Sequence, residues 1–354
     1  MTALTGSGMK MVGAGHALPG KPVDNHALAR VMDTNDEWIR QRTGIGSRHF
    51  AAPGQGPSDL GTQASRRALE QAGLEARDID YVLFNTMTPD HMFPGSGALL
   101  TAQLGITCPA LDLRTQCAAF LFSLQVASGL LSTGAARRVL VVGAETHAGF
   151  MPWQDWDIVR GERDGTPSPE AWARANRHRG WSIIFGDGAG AVIFERTEQQ
   201  LGLVSMDLYT DGRFAPELWI KSGFSNQPYL SSERLHEDEH LPAMDGKEVY
   251  KHAITKLPKS ILAACRSAGV ALGDVDWFIA HQANQRINDA IVERLKLDPA
   301  RVPSNIERIG NTSAATIPIL LSEMRADGRL QPGQTLCFLA LGAGLHWGAA
   351  IYRT

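Results

Sequence analysis

The sequence predicts an α/β fold built from two pseudo-repeated halves, and three patterns carry that expectation. Short apolar runs of strand length alternate with stretches of helical period along most of the 354 residues, as in a largely parallel sheet covered by helices. Ala72-Gly73-Leu74 and Asp80-Tyr81-Val82-Leu83 return as Ala268-Gly269-Val270 and Asp276-Trp277-Phe278-Ile279, 196 residues later in both cases. L-V-V-G-A at Leu140 to Ala144 likewise returns as L-A-L-G-A at Leu339 to Ala343, 199 residues on. A chain of this length exceeds one small core, and two copies of one unit, each burying a face against the other, account for it. The expected halves are residues 1–195 and 196–354.

Met9 to Gly15 reads as the first strand, and Asn25 as the cap of a helix from His26 to Met32. D-E-W-I-R-Q-R at Asp36 to Arg42 is a second helix, stopped by T-G-I. A helical period from Ser58 to Ala72 leads into a strand, with its turn signal in front, from Asp78 to Asn85. After the loop Thr88 to Gly97 come a helix to about Leu104, a strand from Ala110 to Leu113, a helix from Ala118 to Leu131 and a strand from Val139 to Gly143. One segment, Pro152 to His178, has no counterpart in the second half. It is polar, marked by Pro and Gly, and carries Trp153, Trp156 and Trp172. An insertion of that length is a lid, a partner surface or a disordered tract, and its tryptophans speak against the last.

With 44% hydrophobic and 20% charged residues, disordered and fibrous classes are excluded. A net charge of −3 supplies no basic field for nucleic acid. The four cysteines, Cys108, Cys117, Cys265 and Cys337, form no C-x-x-C pair and no metal-ligand spacing. Reduced thiols and no metal site are therefore expected. The N-terminus lacks a charged region followed by a long apolar run, and no window approaches 18 uninterrupted apolar residues. The expectation is a soluble, cytoplasmic protein without membrane association.

Chemistry is expected where strands end and helices begin. Cys117 lies at the junction between the strand Ala110 to Leu113 and the helix that follows. There the free N–H groups of the helix would favour thiolate and lower its pKa. Read alone, it is equally a small buried hydrophobe. In the second copy the matching positions hold His281, ending D-W-F-I-A-H, and Asn311, opening the helix after R-I-G-N-T-S. Singly these read as a core histidine and a helix cap. Together with a thiol they suit acyl transfer through a Cys–acyl intermediate, followed by stabilisation of an enolate oxygen after a β-carboxylated thioester loses carbon dioxide. The loop L-G-A-G-L-H-W-G at Leu341 to Gly348 would bring backbone N–H groups close to such a ligand.

At these residues the chain resembles the β-ketoacyl-[acyl-carrier-protein] synthase III family of the thiolase superfamily. The likeness covers D-E-W-I-R-Q-R-T-G-I, H-M-F-P, the Cys117 helix, R-G-W-S-I-I-F-G-D-G-A-G-A, D-G-K-E-V-Y-K, H-Q-A-N-Q-R-I, G-N-T-S-A-A-T-I-P and G-A-G-L-H-W-G. It implies a thiolase-like αβαβα layered fold, no cofactor beyond the CoA thioester substrate, and a homodimer. Carried over by position, Cys117 is the acylated nucleophile, His281 and Asn311 promote malonyl decarboxylation, and Gly344 belongs to the oxyanion hole. Trp38 and Arg179 would bracket the CoA adenine, Arg42 would meet its phosphates, and Arg286 would contact the carrier protein. Phe93 would close the partner's acyl pocket across the dimer. The implied reaction condenses an acyl-CoA with malonyl-acyl carrier protein or malonyl-CoA. Alternatives are a secondary-metabolism enzyme loading a medium-chain or aromatic acyl group, and a non-condensing acyltransferase. The chain departs from the family at Cys117-Ala118-Ala119, where many relatives have Cys-Ala-Gly, at Ala343 in the glycine loop, and in the insertion before Arg179. Head-to-head synthases carry Glu in the loop where Phe93 stands.

Overall fold

The computed structural model describes residues 8–354; part of the N-terminal expectation falls on residues 1–7, outside them. The first sheet contains β1 (Gly8–Ala17), β2 (Tyr81–Asn85), β3 (Ala110–Leu113), β4 (Arg138–Glu145) and β5 (Gly188–Thr197), side by side as β1-β5-β4-β2-β3. The second contains β6 (Gly202–Thr210), β7 (Trp277–Ala280), β8 (Thr335–Gly342) and β9 (His346–Arg353), as β7-β8-β9-β6. Four strands of the first sheet, β1-β5-β4-β2, match the second sheet in order and sense, and β3 is added at the edge. β2 runs parallel to β4 as β7 does to β8, and the β4–β5 and β5–β1 pairs are antiparallel like β8–β9 and β9–β6.

The repeated aspartates explain why that similarity reaches the sequence. Asp80 Oδ2 accepts from the Arg137 and Arg138 amides at 2.8 Å, and Asp276 Oδ2 accepts from the Thr335 amide at 2.7 Å. Each carboxylate ties the start of one parallel strand to the start of the next.

The helices of eight residues or more are α1 (Asp36–Thr43), α2 (Pro57–Ala72), α3 (Ser96–Leu104), α4 (Ala119–Ser132), α5 (Pro169–Arg177), α6 (Gly246–Ala268), α7 (Gln285–Leu295) and α8 (Thr316–Ala326). α4 and α8 form the middle layer, where Phe120, Leu124, Leu320 and Met324 pack with Val141 and Phe194 of one sheet and Phe338 and Tyr352 of the other. α2 and α3 cover the outer face of the first sheet, and α6 and α7 that of the second. Along β4, Val139 and Val141 face the middle layer while Leu140 and Val142 face outward. A sheet covered on both faces reads as a continuous apolar run, and a helix between two sheets is apolar all round. The result is the expected five-layer α/β arrangement.

Two local expectations change. The helix at residue 25 spans only Asn25–Leu28, and its cap is Asp24, whose carboxylate accepts from the Ala27 amide at 2.8 Å. Asn25 instead turns inward, donating to Asp36 and to the Ile45 carbonyl and accepting from Arg48. The segment Pro152 to His178 is ordered: Trp153 is 1% exposed and packs against Phe50 and Trp156. α5 fastens it to the segment between β6 and α6, because Arg174, Arg177 and His178 all bind the buried Asp238 carboxylate at 2.8–3.1 Å. Burial opposes the charge of Asp238, but the bonds from His178 and Arg174 hold its carboxyl below the ordinary 3.8. Its stabilisation is therefore present above that pH and lost on acidification. Asp238→Ala is expected to cost about 2 kcal/mol in urea unfolding at pH 7, since it strands the largely buried Arg174 and His178 donors. An unchanged midpoint at constant slope would contradict this.

Candidate active site

Cys117 occupies the single turn Gln116–Ala118 between β3 and α4. That turn opens at Gln116 with φ 45°, and the turn Ser313–Ala315 ahead of α8 opens in the same way at Ser313 with φ 47°. The two turns meet, and Cys117 Sγ donates to Ser313 Oγ at 3.4 Å. Asn311 is set by its backbone: its amide donates to the Ile184 carbonyl and its carbonyl accepts from the Gly186 amide, both at 3.0 Å. It precedes the Ser313 turn by two residues rather than opening the helix. Its Oδ1 accepts from the Ser313 amide at 2.8 Å, which leaves Nδ2 as the group that can donate to a ligand. His281 extends the β7–β8 ladder, its amide donating to the Leu339 carbonyl at 2.8 Å. Its Nδ1 lies 2.7 Å from Thr316 Oγ1, which is also 3.1 Å from the Ser313 carbonyl oxygen. One network, centred on Ser313, thus connects three residues that the sequence separates by up to 194 positions (117 to 311).

The electrostatics correct one expectation. Cys117 is 7% exposed, and burial pushes its thiol up to about 12; the Ser313 bond pulls the other way and the Glu145 charge adds to the rise. The helix start does not make a resting thiolate, because burial of the sulfur outweighs it. Burial also brings His281 down to about 3, so its imidazole is neutral at physiological pH. Alkylation of Cys117 by iodoacetamide is accordingly expected to rise about tenfold per pH unit between pH 7 and 9, tracking the thiolate fraction. A plateau near pH 7 would reveal a thiolate already formed.

Gly342 and Gly344 carry the loop that faces Cys117. A Cβ at Gly342 would lie 2.8 Å from the Cys117 backbone nitrogen, so only glycine permits this approach. Gly344, at φ 136°, shares with Cys117 the wall of a cavity of about 650 Å³, which also includes Met87, Phe185 and Trp219. Elsewhere, Trp38 is sandwiched between two guanidiniums, Arg42 at 4.2 Å and Arg179 at 4.5 Å from its ring centroid. Arg179 also binds the Asp33 carbonyl. Arg286 stands over Tyr250 at 5.7 Å, and Asn284, just ahead of it, donates to the Arg42 carbonyl at 3.0 Å. Phe93 is 83% exposed and does not line the cavity of its own chain.

Three further residues belong to the site. Ser313 and Thr316 lie within G-N-T-S-A-A-T, where a hydroxyl before a helix reads as an ordinary cap. Glu145 ends β4 fully buried and accepts from the Met87 and Thr88 amides and from the Ala314 amide at 3.4 Å. It fixes both the loop leading to Phe93 and the turn that carries Ser313. An acidic residue closing an apolar strand was its only mark in the sequence.

Comparison with known proteins agrees with this geometry. The family model for 3-oxoacyl-[acyl-carrier-protein] synthase III matches residues 111–165, and that for its C-terminal part matches residues 265–354. A β-ketoacyl-[acyl-carrier-protein] synthase III of Cereibacter sphaeroides is 40% identical over 96% of this chain and 97% of its own. The crystal structure of the Thermus thermophilus enzyme of that name superposes with a TM-score of 0.84 at 33% identity, covering 98% and 99% of the two chains. The priming β-ketosynthase of the R1128 polyketide pathway superposes with a TM-score of 0.84 at 28% identity, covering 100% and 98%. A cysteine-bearing turn and a His–Asn pair joined at the inner ends of two matching sheets, with identity of this extent, make the chain a member of the β-ketoacyl-[acyl-carrier-protein] synthase III family of condensing acyltransferases.

Proposed function

We propose that the chain takes an acyl group from an acyl-CoA onto Cys117 and condenses it with malonyl-acyl carrier protein or malonyl-CoA, releasing carbon dioxide. The observation that supports this best is the shared network, which sets a buried thiol beside two side chains able to donate to a thioester oxygen. The Cys117 sulfur attacks the donor carbonyl, the CoA thiolate leaves, and the thiol proton ends on the departing sulfur. The Cys117 and Gly344 amides form the oxyanion hole for that step.

In the second step His281 and Asn311 bind the malonyl thioester oxygen. A neutral imidazole has a single N–H, and in the tautomer that carries it on Nε2 that nitrogen donates to the enolate oxygen. Loss of carbon dioxide leaves the enolate, which attacks the acyl-Cys117 carbonyl and expels the sulfur. No cofactor takes part. Trp38, Arg42 and Arg179 bind the CoA nucleotide, and Arg286 the carrier protein.

The units are residues 1–195 and 196–354, close to where the first sheet ends at Thr197 and the second begins at Gly202. The assembly is a homodimer in which exposed Phe93 closes the partner's cavity; edge strand β3, with Leu111 41% exposed, is the surface it favours. The setting is the cytoplasm. Among the described residues no helix is long and apolar enough to cross a membrane.

A second reading is favoured by the cavity, which is far larger than acetyl requires, and by the likeness to the R1128 priming enzyme: priming of a specialised product with a larger acyl group. Carbon dioxide release from malonyl-acyl carrier protein and from malonyl-CoA, measured with acetyl-, octanoyl- and benzoyl-CoA, tests both. Acetyl-CoA as best donor indicates fatty-acid priming, and a larger donor indicates the second reading. No release with any pair would leave only a non-condensing acyltransferase.

A further inference from the structure

The hydroxyl of Ser313 sits between two sulfurs. Cys117 Sγ donates to Ser313 Oγ at 3.4 Å, and Ser313 Oγ donates to Met87 Sδ, also at 3.4 Å. While the thiol keeps its proton, the one hydroxyl hydrogen of Ser313 thus points at a thioether, a weak acceptor. A thiolate has no hydrogen to give and accepts far more strongly.

The backbone holds the hydroxyl in that place. Ser313 has φ 47°, a left-handed conformation that glycine adopts freely and serine does not. Two bonds keep the turn there: Asn311 Oδ1 accepts from the Ser313 amide at 2.8 Å, and the buried Glu145 carboxylate accepts from the Ala314 amide at 3.4 Å. Ser313 is itself fully buried, so water does not compete for its hydroxyl. The surroundings of the sulfur call for such a donor. Burial and the Glu145 charge hold the thiol protonated, while the Ser313 hydroxyl and the Cys117 amide act in the opposite sense. Among the described residues Glu145 is the one charged side chain that acts on the sulfur, and His281, the other titratable group of the network, is neutral.

Resting on the reading of Cys117 as nucleophile above, we propose that Ser313 is a further catalytic residue, whose hydroxyl turns from Met87 Sδ to Cys117 Sγ and donates to the sulfur when it carries negative charge. That charge develops twice. It appears as the thiol gives up its proton to attack the donor thioester, and again as the enolate expels the sulfur from the acyl-enzyme. Ser313 keeps its own proton in both steps, and only the direction of its hydrogen bond changes.

Ser313→Ala and Ser313→Gly both remove the hydroxyl, and the glycine keeps the left-handed turn without strain, so hydroxyl and backbone are tested apart. Alkylation of Cys117 by iodoacetamide from pH 7 to 10, and its acylation by the better of acetyl- and octanoyl-CoA, are followed by intact-protein mass spectrometry. In both variants each rate is expected to fall about tenfold at a given pH, with the alkylation profile displaced upward by about one pH unit. A turn that had merely loosened would expose the sulfur and speed alkylation instead. Alkylation of Ser313→Gly at the wild-type rate or faster, or a fall in alkylation with acylation unchanged, would overturn the inference while leaving Cys117 as the nucleophile. A wild type that forms no acyl adduct, yet whose alkylation still depends on Ser313, would overturn the condensing reading and keep the bond between hydroxyl and thiolate.

Discussion

Replacing Cys117 with alanine is expected to abolish the acyl-enzyme and to lower condensation by about 10³-fold or more, as loss of a nucleophile does in enzymes that work through a covalent intermediate. Among the described residues Cys117 is the one cysteine that lines the 650 Å³ cavity; Cys265 and Cys337 are buried in the second sheet and its outer helices. No other thiol is placed to substitute. The fold should tolerate the change, because the side chain lost is small, its neighbours Ala118 and Ala119 stay buried, and only the bond to Ser313 disappears. The variant should therefore unfold within about 1 kcal/mol of the wild type while carrying no adduct. Condensation at the wild-type rate in Cys117→Ala would remove the sulfur from the reaction.

His281→Ala and Asn311→Ala are expected to divide the two half-reactions. Each should still acylate Cys117, yet lose about 10²- to 10³-fold in carbon dioxide release from the malonyl thioester, the usual cost of removing one donor to a developing oxyanion. Acylation is spared because the network reaches the sulfur through Ser313 rather than through either of these side chains. Equal loss in both half-reactions would count against the assignment.

The pH behaviour follows from the buried imidazole. With its pKa lowered from 6.5 to about 3, His281 stays neutral from pH 5 to 8, and the decarboxylation step should show no inflection near 6.5 from this residue. The sign for stability is the reverse of that for a protonated, partnered histidine. Here the unfolded chain binds the proton more tightly, so His281 removes stability as the pH falls below 6.5 toward 3.

What the sequence made legible was local in origin. The strand, turn and helix around Cys117 could be read from three apolar residues around Asp112, a three-residue break and an apolar helix, because a helix enclosed by two sheets has no polar face to hide. The repeat was legible because Asp80 and Asp276 perform one task at two equivalent strand starts, which keeps their spacing. The repeat also placed His281 at the end of its strand, whereas Asn311 lies two residues ahead of the Ser313 turn and not at a helix start. The protonation of Cys117 could not be read, since it depends on burial by the turn around Ser313 and on the charge of Glu145, neither of which is near it in the chain. The cap at Asp24 was misread as Asn25 because both residues suit a cap, and only the packing of Arg48 and Ile45 draws the asparagine inward. The insertion, with its tryptophans, promised order but not its anchor; Asp238 lies 61 residues beyond Arg177.

The most direct measurement of the central claim is the discharge of a preformed acyl-enzyme. Wild-type protein would be labelled with an acyl-CoA, freed of excess donor, and mixed with malonyl-acyl carrier protein while the Cys117 adduct is followed by intact mass and carbon dioxide is collected. The account predicts that the adduct disappears in step with one equivalent of carbon dioxide and one of β-ketoacyl product. An adduct that persists while carbon dioxide is released, or that returns its acyl group unextended to the carrier, would contradict it.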